Sequence, residues 1–257
     1  MIDSLENIIR TAGKIILKYY KCSCSYEFKE DRSPITIADV QSNLFLIESL
    51  QNLLSIPVLS EEQGVIYDTR KNWDAFWLID PLDGTKNFIS NSDDFCINIA
   101  LIKNNKPIAG LIYAPALDEL YFAQEGKGFK YKGQPKPFRK DTRMTAVVSR
   151  FHHSEITQKF LNLNRITNTV TIGAAIKFGR MALGEFDIYP RFEGSKEWDI
   201  GAGQIILKES GCNIFDLKTQ AEPLYNKPSF KNNYFFAYRP TVDITQFKWL
   251  NSIDNLV

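Results

Sequence analysis

Apolar residues Ile8, Ile9, Ala12, Ile15, Ile16 and Tyr19 recur at helical spacing behind Asp3 and Ser4, either of which can cap. This predicts an amphipathic first helix. Residues 21–33 are polar and read as a loop or hairpin. Pro34 is then expected to open a second helix, with Asp39 about one turn inside it and Leu44, Ile47 and Leu54 on its apolar face. From there the pattern shortens. Pro57–Ser60 and Phe76–Asp80 read as strands, the first delivering Glu61 and Glu62 and the second delivering Asp80 and Asp83. Cys96–Ile102, Pro107–Tyr113 and Leu120–Phe122 continue as strands, the first two joined by a turn at Asn104-Asn105.

After a polar, basic connection at 132–145, strands and helices alternate. Strands are expected at Ala146–Ser149, Val170–Ile172, Phe186–Tyr189, Ile214–Asp216 and Tyr234–Tyr238. Helices are expected at Ser154–Leu163, Gly173–Leu183 and Asp199–Ser210, the last stopped by Gly211. Mixed elements without internal repeats make the chain α/β, or α+β by some schemes. One domain over 1–257 is expected. Within it, 1–140 forms a subdomain carrying the acidic motifs, and 141–257 forms the substrate side with Asp199.

Composition changes this picture little. The 257 residues balance 31 Lys+Arg against 30 Asp+Glu, so the basic footprint of a nucleic-acid binder is missing. Cys22, Cys24, Cys96 and Cys212 lack zinc-ribbon or redox spacing and read as free thiols in a reducing cytosol. No signal peptide and no membrane-spanning run are recognised. A cytoplasmic protein is expected, with peripheral attachment at the inner membrane left open. His152-His153 lie outside every motif and read as surface residues.

The chemistry concentrates in WLIDPLDGTKNF, residues 77–88. Acids at a strand end cost free energy unless something pairs with them. Asp80, Asp83 and one of the adjacent Glu61 and Glu62 form a carboxylate set that a hard divalent cation would reconcile. In this arrangement Asp83 can bridge two metals, with Glu61 and the Leu82 carbonyl on one side. Gly84-Thr85 follows as a turn into a helix start, where main-chain N–H groups suit phosphate. Trp198-Asp199-Ile200-Gly201-Ala202-Gly203 adds a further acid on a small-residue helix. Each acid alone is ordinary as a turn or cap residue, but the constellation is not.

The pieces SPITIAD, LSEE, WLIDPLDGTKNF and WDIGAG, in that order, resemble the inositol monophosphatase superfamily of Mg²⁺-dependent, Li⁺-sensitive phosphatases. VLSEE, LIYAPALDELYFAQEGKGF and YPRF at Tyr189–Phe192 are similar to its branch of bacterial 3'(2'),5'-bisphosphate nucleotidases of the CysQ type. That branch removes the 3'-phosphate from 3'-phosphoadenosine 5'-phosphate, giving AMP and phosphate. The resemblance implies a layered αβαβα sandwich, the fold of fructose-1,6-bisphosphatase.

It also implies roles. Glu61, Asp80 and the Leu82 carbonyl hold one Mg²⁺. Asp80, Asp83 and Asp199 hold a second, and Glu62 helps with a third. Asp39 and Thr85 position and deprotonate the attacking water. The Gly84 and Thr85 amides hold the phosphate, beside the metal ligands Glu61, Leu82, Asp83 and Asp199. Lys177 and Arg191 are assigned to the second phosphate on charge alone. The implied partner is a small nucleotide bisphosphate, and a homodimer is left open. Asn87, Gly201 and Gly173-Ala174-Ala175 depart from the nucleotidase pattern, which typically has Glu, Ala and serines there. Two alternatives remain: an inositol-monophosphatase-like or broader sugar phosphatase, and a non-catalytic metal- and phosphate-binding protein.

Overall fold

The computed structural model describes residues 2–22, 26–28, 34–135, 143–151 and 154–249. The chain runs α1 (Ile2–Leu17), β1 (Tyr26–Phe28), β2 (Pro34–Thr36), α2 (Ile37–Leu53), β3 (Val58–Ser60), α3 (Tyr67–Arg70) and β4 (Ala75–Asp83). It continues α4 (Thr85–Ile89), β5 (Cys96–Lys103), β6 (Lys106–Ala114), β7 (Glu119–Gln124) and β8 (Phe129–Lys132). The second half is β9 (Thr145–Ser149), α5 (Glu155–Leu163), β10 (Asn168–Ile172), α6 (Ile176–Ala182), β11 (Ile188–Arg191), α7 (Glu197–Glu209), β12 (Asn213–Asp216) and β13 (Phe235–Tyr238).

Two sheets organise the layers. One has the order β3-β4-β5-β6-β7-β8, the other β10-β9-β11-β13-β12. Alternation along β4 feeds both faces of the first sheet. Trp77 and Ile79 pack with Leu5, Ile9 and Ile16 of α1 and Leu46 and Leu50 of α2. Phe76 and Leu78 pack with Ile176 and Phe178 of α6 and Ile200, Ile205 and Ile206 of α7. Those two helices also meet Tyr189 and Phe235 of the second sheet, whose far face packs on Phe160 and Leu161 of α5. A strand buried on both faces reads as a continuous apolar run, as FWLI does. The result is the expected αβαβα sandwich.

The middle helices approach closely because the facing positions are small. A Cβ on Gly110 of β6 would come within 2.7 Å of the Ala202 carbonyl oxygen, and one on Gly203 would enter the Phe178 ring.

Several expectations are corrected. Pro34 does not open a helix: Pro34–Thr36 pairs antiparallel with Tyr26–Phe28, and Thr36 is the N-cap of α2. Leu44 and Leu54 are exposed, whereas the buried face is Ala38, Asp39, Ser42, Asn43, Leu46 and Leu50. That face carries polar residues because it meets the turn after Asp80: Ser42 Oγ donates to the Pro81 carbonyl, and Asn43 accepts from Ser60. Beta4 does not end at Asp80 but runs on to Asp83. Alpha6 begins at Ile176, so Gly173-Ala174-Ala175 is a turn before it. Cys22, Cys96 and Cys212 are free. Cys24, His152, His153 and part of the 132–145 connection lie outside the described residues. Among the described residues, no helix is long and apolar enough to cross a membrane.

Candidate active site

The two acids of DPLDGT share one side of the sheet because of an irregularity. In a regular strand, residues three apart point to opposite faces. Asp80 pairs with Asn98 and Asp83 with Cys96, so three steps on β4 match two on β5. The extra residue is a bulge at Pro81-Leu82, where the proline's missing N–H does no harm. The bulge turns Asp83 to the same side as Asp80. The Leu82 amide donates to Asp80 Oδ1 at 3.1 Å, which closes the turn.

Glu61 arrives from the end of β3, which lies parallel to β4, and its amide donates to the Ile79 carbonyl. Asp199 arrives from the other direction, three residues into the α7 start. Its Oδ2 accepts the Lys196 amide at 2.7 Å, an N-terminal capping bond. Carboxylate oxygens of Glu61, Asp80 and Asp199 lie within 4.8 Å of one another. Asp83 stands beside them, with Oδ2 accepting from the Ala175 amide at 2.6 Å and from Asn98 Nδ2 at 3.2 Å.

The electrostatics are those of a crowded anion. Burial raises the Asp80 carboxyl well above the usual range, and Glu61, Asp83, Asp199 and Glu62 push it further the same way. Burial, then Asp83 and Glu61, push Asp199 up to about 7 against the pull of the Lys196 amide and Arg191. Burial raises Asp83 too, although Lys177, Asn98 and the Ala175 amide oppose it. A divalent cation among oxygen donors would remove this repulsion, so the residues present fit one.

Asp39 and Thr85 form a second, distinct unit. Asp39 Oδ2 accepts from the Thr36 amide at 2.8 Å and the Thr36 hydroxyl at 2.6 Å, which fixes the carboxylate at the start of α2. Its Oδ1 faces the Thr85 hydroxyl at 3.1 Å, and that hydroxyl also lies 3.2 Å from the Leu82 carbonyl. Gly84, between Asp83 and Thr85, takes φ +89°, a conformation that favours glycine.

All these groups border one cleft of about 240 Å³. Glu61, Asp80, Leu82, Asp83, Gly84, Thr85, Lys177, Arg191 and Asp199 line it. Asp39 reaches it through Thr85. Glu62 follows Glu61 but is not in the lining; its amide donates to Ser60 Oγ.

The cation wall is more self-contained than charge alone implied. Lys177 is buried, and its Nζ donates to the Ile172 and Ala174 carbonyls. Arg191 is also buried and holds Ser149 Oγ, Glu193 and the Gly194 carbonyl. Asn98, Asp94 and Arg150 were missed. Asn98 had a signal, a polar residue inside the apolar run CINIALI. Asp94 and Arg150 had none, since each is an ordinary charge near a strand end.

Comparison with known proteins follows the same outline. A model of the inositol monophosphatase family matches residues 1–239. The 3'(2'),5'-bisphosphate nucleotidase CysQ of Salmonella typhimurium is 36% identical over 241 residues, covering 91% of this chain and 98% of that protein. The protein of the same name from Escherichia coli K12 is 37% identical over 243 residues, with the same coverage. The crystal structure of CysQ from Bacteroides thetaiotaomicron superposes with a TM-score of 0.81 at 32% identity, over 93% of this chain and 97% of that one. An IMPase from Thermotoga maritima gives 0.82 at 22% identity, over 100% and 99%, a likeness of fold alone. With the family model spanning nearly the whole length and such relatives matched end to end, the chain belongs to the inositol monophosphatase family.

Proposed function

We propose that this phosphatase hydrolyses the 3'-phosphate of 3'-phosphoadenosine 5'-phosphate, giving AMP and phosphate. One observation carries the reading. A cleft with acids on one wall and Arg150, Lys177 and Arg191 on the other lies in a chain 36% identical, nearly end to end, to a 3'(2'),5'-bisphosphate nucleotidase. Such a cleft takes both a metal and a multiply anionic ester.

Glu61, Asp80, Asp83, Asp199 and the Leu82 carbonyl are the groups that would hold the metal. Their oxygen-only chemistry favours Mg²⁺, and the number of acids leaves room for two or three ions, with Glu62 nearby for the last. When bound, the metal supplies Lewis acidity to water and to the phosphate oxygens. The protein's own groups do the rest. The Thr85 hydroxyl directs its proton to Asp39, so its oxygen accepts a hydrogen bond from a water and aims that water at phosphorus. As the water attacks, its proton passes toward Thr85 and Asp39, the P–O3' bond breaks on the opposite side of phosphorus, and the departing 3'-oxygen takes up a proton from solvent to leave as AMP. Asp39 can take this role because the Thr36 cap fixes its other oxygen. The main chain at Gly84-Thr85 cradles the phosphate, and Lys177 offsets the charge of Asp83 from behind.

The test is phosphate release with Mg²⁺ from 3'-phosphoadenosine 5'-phosphate and from inositol 1-phosphate, side by side. A strong preference for the nucleotide is expected. A preference for the inositol ester would transfer the protein to the monophosphatase reading, with Asn87 and the methyls of Ala174 and Ala175 as the guides. Release from neither, with Mg²⁺ still bound, would make it a binding protein.

A further inference from the structure

A substrate with two phosphates needs a second anion site away from the metal acids. The lining offers four cations: Lys86, Arg150, Lys177 and Arg191. Lys177 and Arg191 are buried, and most of their donors are committed to carbonyls, Ser149 and Glu193. Lys86 is exposed in the first turn of α4, one residue after Thr85. Arg150 differs from all three. It stands just past the end of β9, with its side chain 42% exposed, and its Nε and Nη2 both rest on a single oxygen, Asp94 Oδ2, at 3.2 and 2.6 Å.

Asp94 is itself part of the site's frame. The same Oδ2 accepts the Gly173 amide at 3.1 Å. The Asp94 carbonyl lies where a Cβ on Gly84 or on Gly173 would fall, at 3.0 and 2.8 Å. Asp94 therefore packs against the phosphate turn and the Gly173–Ala175 turn together. Two residues on, the Ala175 amide holds Asp83. One short turn, Gly173–Ala175, thus touches the carboxylate that holds Arg150 at one end and the acid wall at the other, and Arg150 and that wall line the same cleft. Ala174, between Gly173 and Ala175, takes φ +50°, unusual for a residue other than glycine, a cost that the bonds at both ends of the turn help to offset.

The geometry points to Arg150 as the residue that binds the distal, 5'-phosphate and so selects a bisphosphate over a monophosphate, with Asp94 as the positioning residue that presents it. The inference rests on the nucleotidase reading above. A guanidinium resting on one carboxylate oxygen at the cleft mouth can turn its planar fork onto a phosphate, which offers more acceptors and more charge. Asp94 keeps the Gly173 amide when Arg150 leaves, so the turn that holds Asp83 stays in place.

The experiment compares wild type, Arg150→Ala, Arg150→Lys and Asp94→Asn on 3'-phosphoadenosine 5'-phosphate, 3'-AMP and inositol 1-phosphate, reading kcat and KM separately. Wild type is expected to prefer the bisphosphate to 3'-AMP. In Arg150→Ala that preference should shrink about 10- to 100-fold, mainly through KM, as loss of a charged hydrogen-bond pair predicts. Arg150→Lys should recover part of it. Asp94→Asn should lower kcat on every substrate and raise the Mg²⁺ concentration needed for half-activation, because the Gly173–Ala175 turn loosens around Asp83. If Arg150→Ala folds and keeps the wild-type preference, the assignment to Arg150 is overturned while the nucleotidase reading stands. If wild type prefers both nucleotides to inositol 1-phosphate but does not distinguish the bisphosphate from 3'-AMP, the distal site falls and the nucleotidase reading stands; if it prefers inositol 1-phosphate, both fall.

Discussion

The two walls of the cleft are built on opposite principles. On the β3–β4 side, Asp80, Asp83 and Glu61 are brought together with Asp199 against their own repulsion. The protonated forms of Asp80, Asp83 and Asp199 are favoured, because Lys177 beside Asp83 and Arg191 beside Asp199 offset only part of the charge that burial and crowding penalise. On the β9–α6 side, Lys177 rests on two carbonyls, Arg191 on Ser149, Glu193 and the Gly194 carbonyl with its buried Nε alone left over, and Arg150 leans on an exchangeable partner, Asp94. The first wall stays electrostatically unfinished until a cation arrives. The second is nearly finished and serves to hold a turn and steer an anion. A site for a metal and a phosphate ester thus divides its labour between one region under strain and one at rest.

The sharpest way to break this contrast is to relieve the strained wall. Asp83→Asn removes one buried charge yet leaves an oxygen for the Ala175 amide. We expect turnover to fall by about a thousandfold. The metal-free protein should be no less stable, because like-charge repulsion falls. Phosphate release at saturating Mg²⁺ and thermal melting of the metal-free form check the two halves. Near-normal turnover would remove Asp83 from the metal set.

Thr85→Ala tests the unit between the walls. The hydroxyl is lost, but Asp39 keeps its two bonds to Thr36. A fall in kcat of about 10² to 10³ with little change in KM is expected for a lost proton-transfer group. A change confined to KM would mean that Thr85 binds substrate and does not act on water.

What the sequence made legible follows the same division. The acid wall was readable because Asp80, Asp83 and the Gly84 turn are contiguous in DPLDGTK and Glu61 and Asp199 each sit at an element's end, although the bulge that aligns Asp80 with Asp83 was not foreseen. Mixed strands and helices were readable from the hydrophobic pattern, whereas the αβαβα layering came only from the family resemblance of SPITIAD, WLIDPLDGTKNF and WDIGAG. Of the cation wall, Lys177 and Arg191 were named on charge and do line the cleft, but Arg150 was not readable, since Arg150, Asp94 and Gly173 meet only through tertiary structure, 56 and 79 residues apart. Alpha2 was misread for a functional reason: Asp39, Ser42 and Asn43 point inward to serve the site, so the hydrophobic pattern named Leu44 and Leu54, which lie outside.

The strained wall should also show in stability against pH. Asp80, Asp83 and Asp199 have folded-state carboxyls raised above their unfolded values, so each favours the folded state most when protonated. That contribution is full below about pH 4 and, for Asp199, is lost as the pH rises through about 7. Across this window the metal-free protein is expected to lose several degrees of melting temperature from these groups. Added Mg²⁺ should restore it, with a gain that widens as pH rises. A Mg²⁺ gain that stays flat or shrinks over that range would mean that these carboxylates do not hold the ion.

The smallest effect is expected at Gly201, where the family resemblance implies Ala and the side chain would touch neither wall. A Cβ on Gly201 would meet Leu78 Cδ2 at 3.0 Å, Tyr225 Cε1 at 3.3 Å and Ala100 Cβ at 3.4 Å. These are side-chain atoms, and Leu78 and Tyr225 must each give way by a few tenths of an ångström. Against that crowding, replacing a helical glycine by alanine favours the helix by about 1 kcal/mol. The two effects oppose each other, so Gly201→Ala should change stability by less than about 1 kcal/mol and leave kcat and KM alone. Gly110→Ala is the contrast, because its Cβ would strike the backbone of Ala202, which cannot turn aside. A urea titration of both variants separates a packing role from a chemical one. If Gly201→Ala melts like wild type but loses activity, the two-residue step from Asp199 to Gly201 carries function, and the α7 start belongs to the strained wall as more than its support.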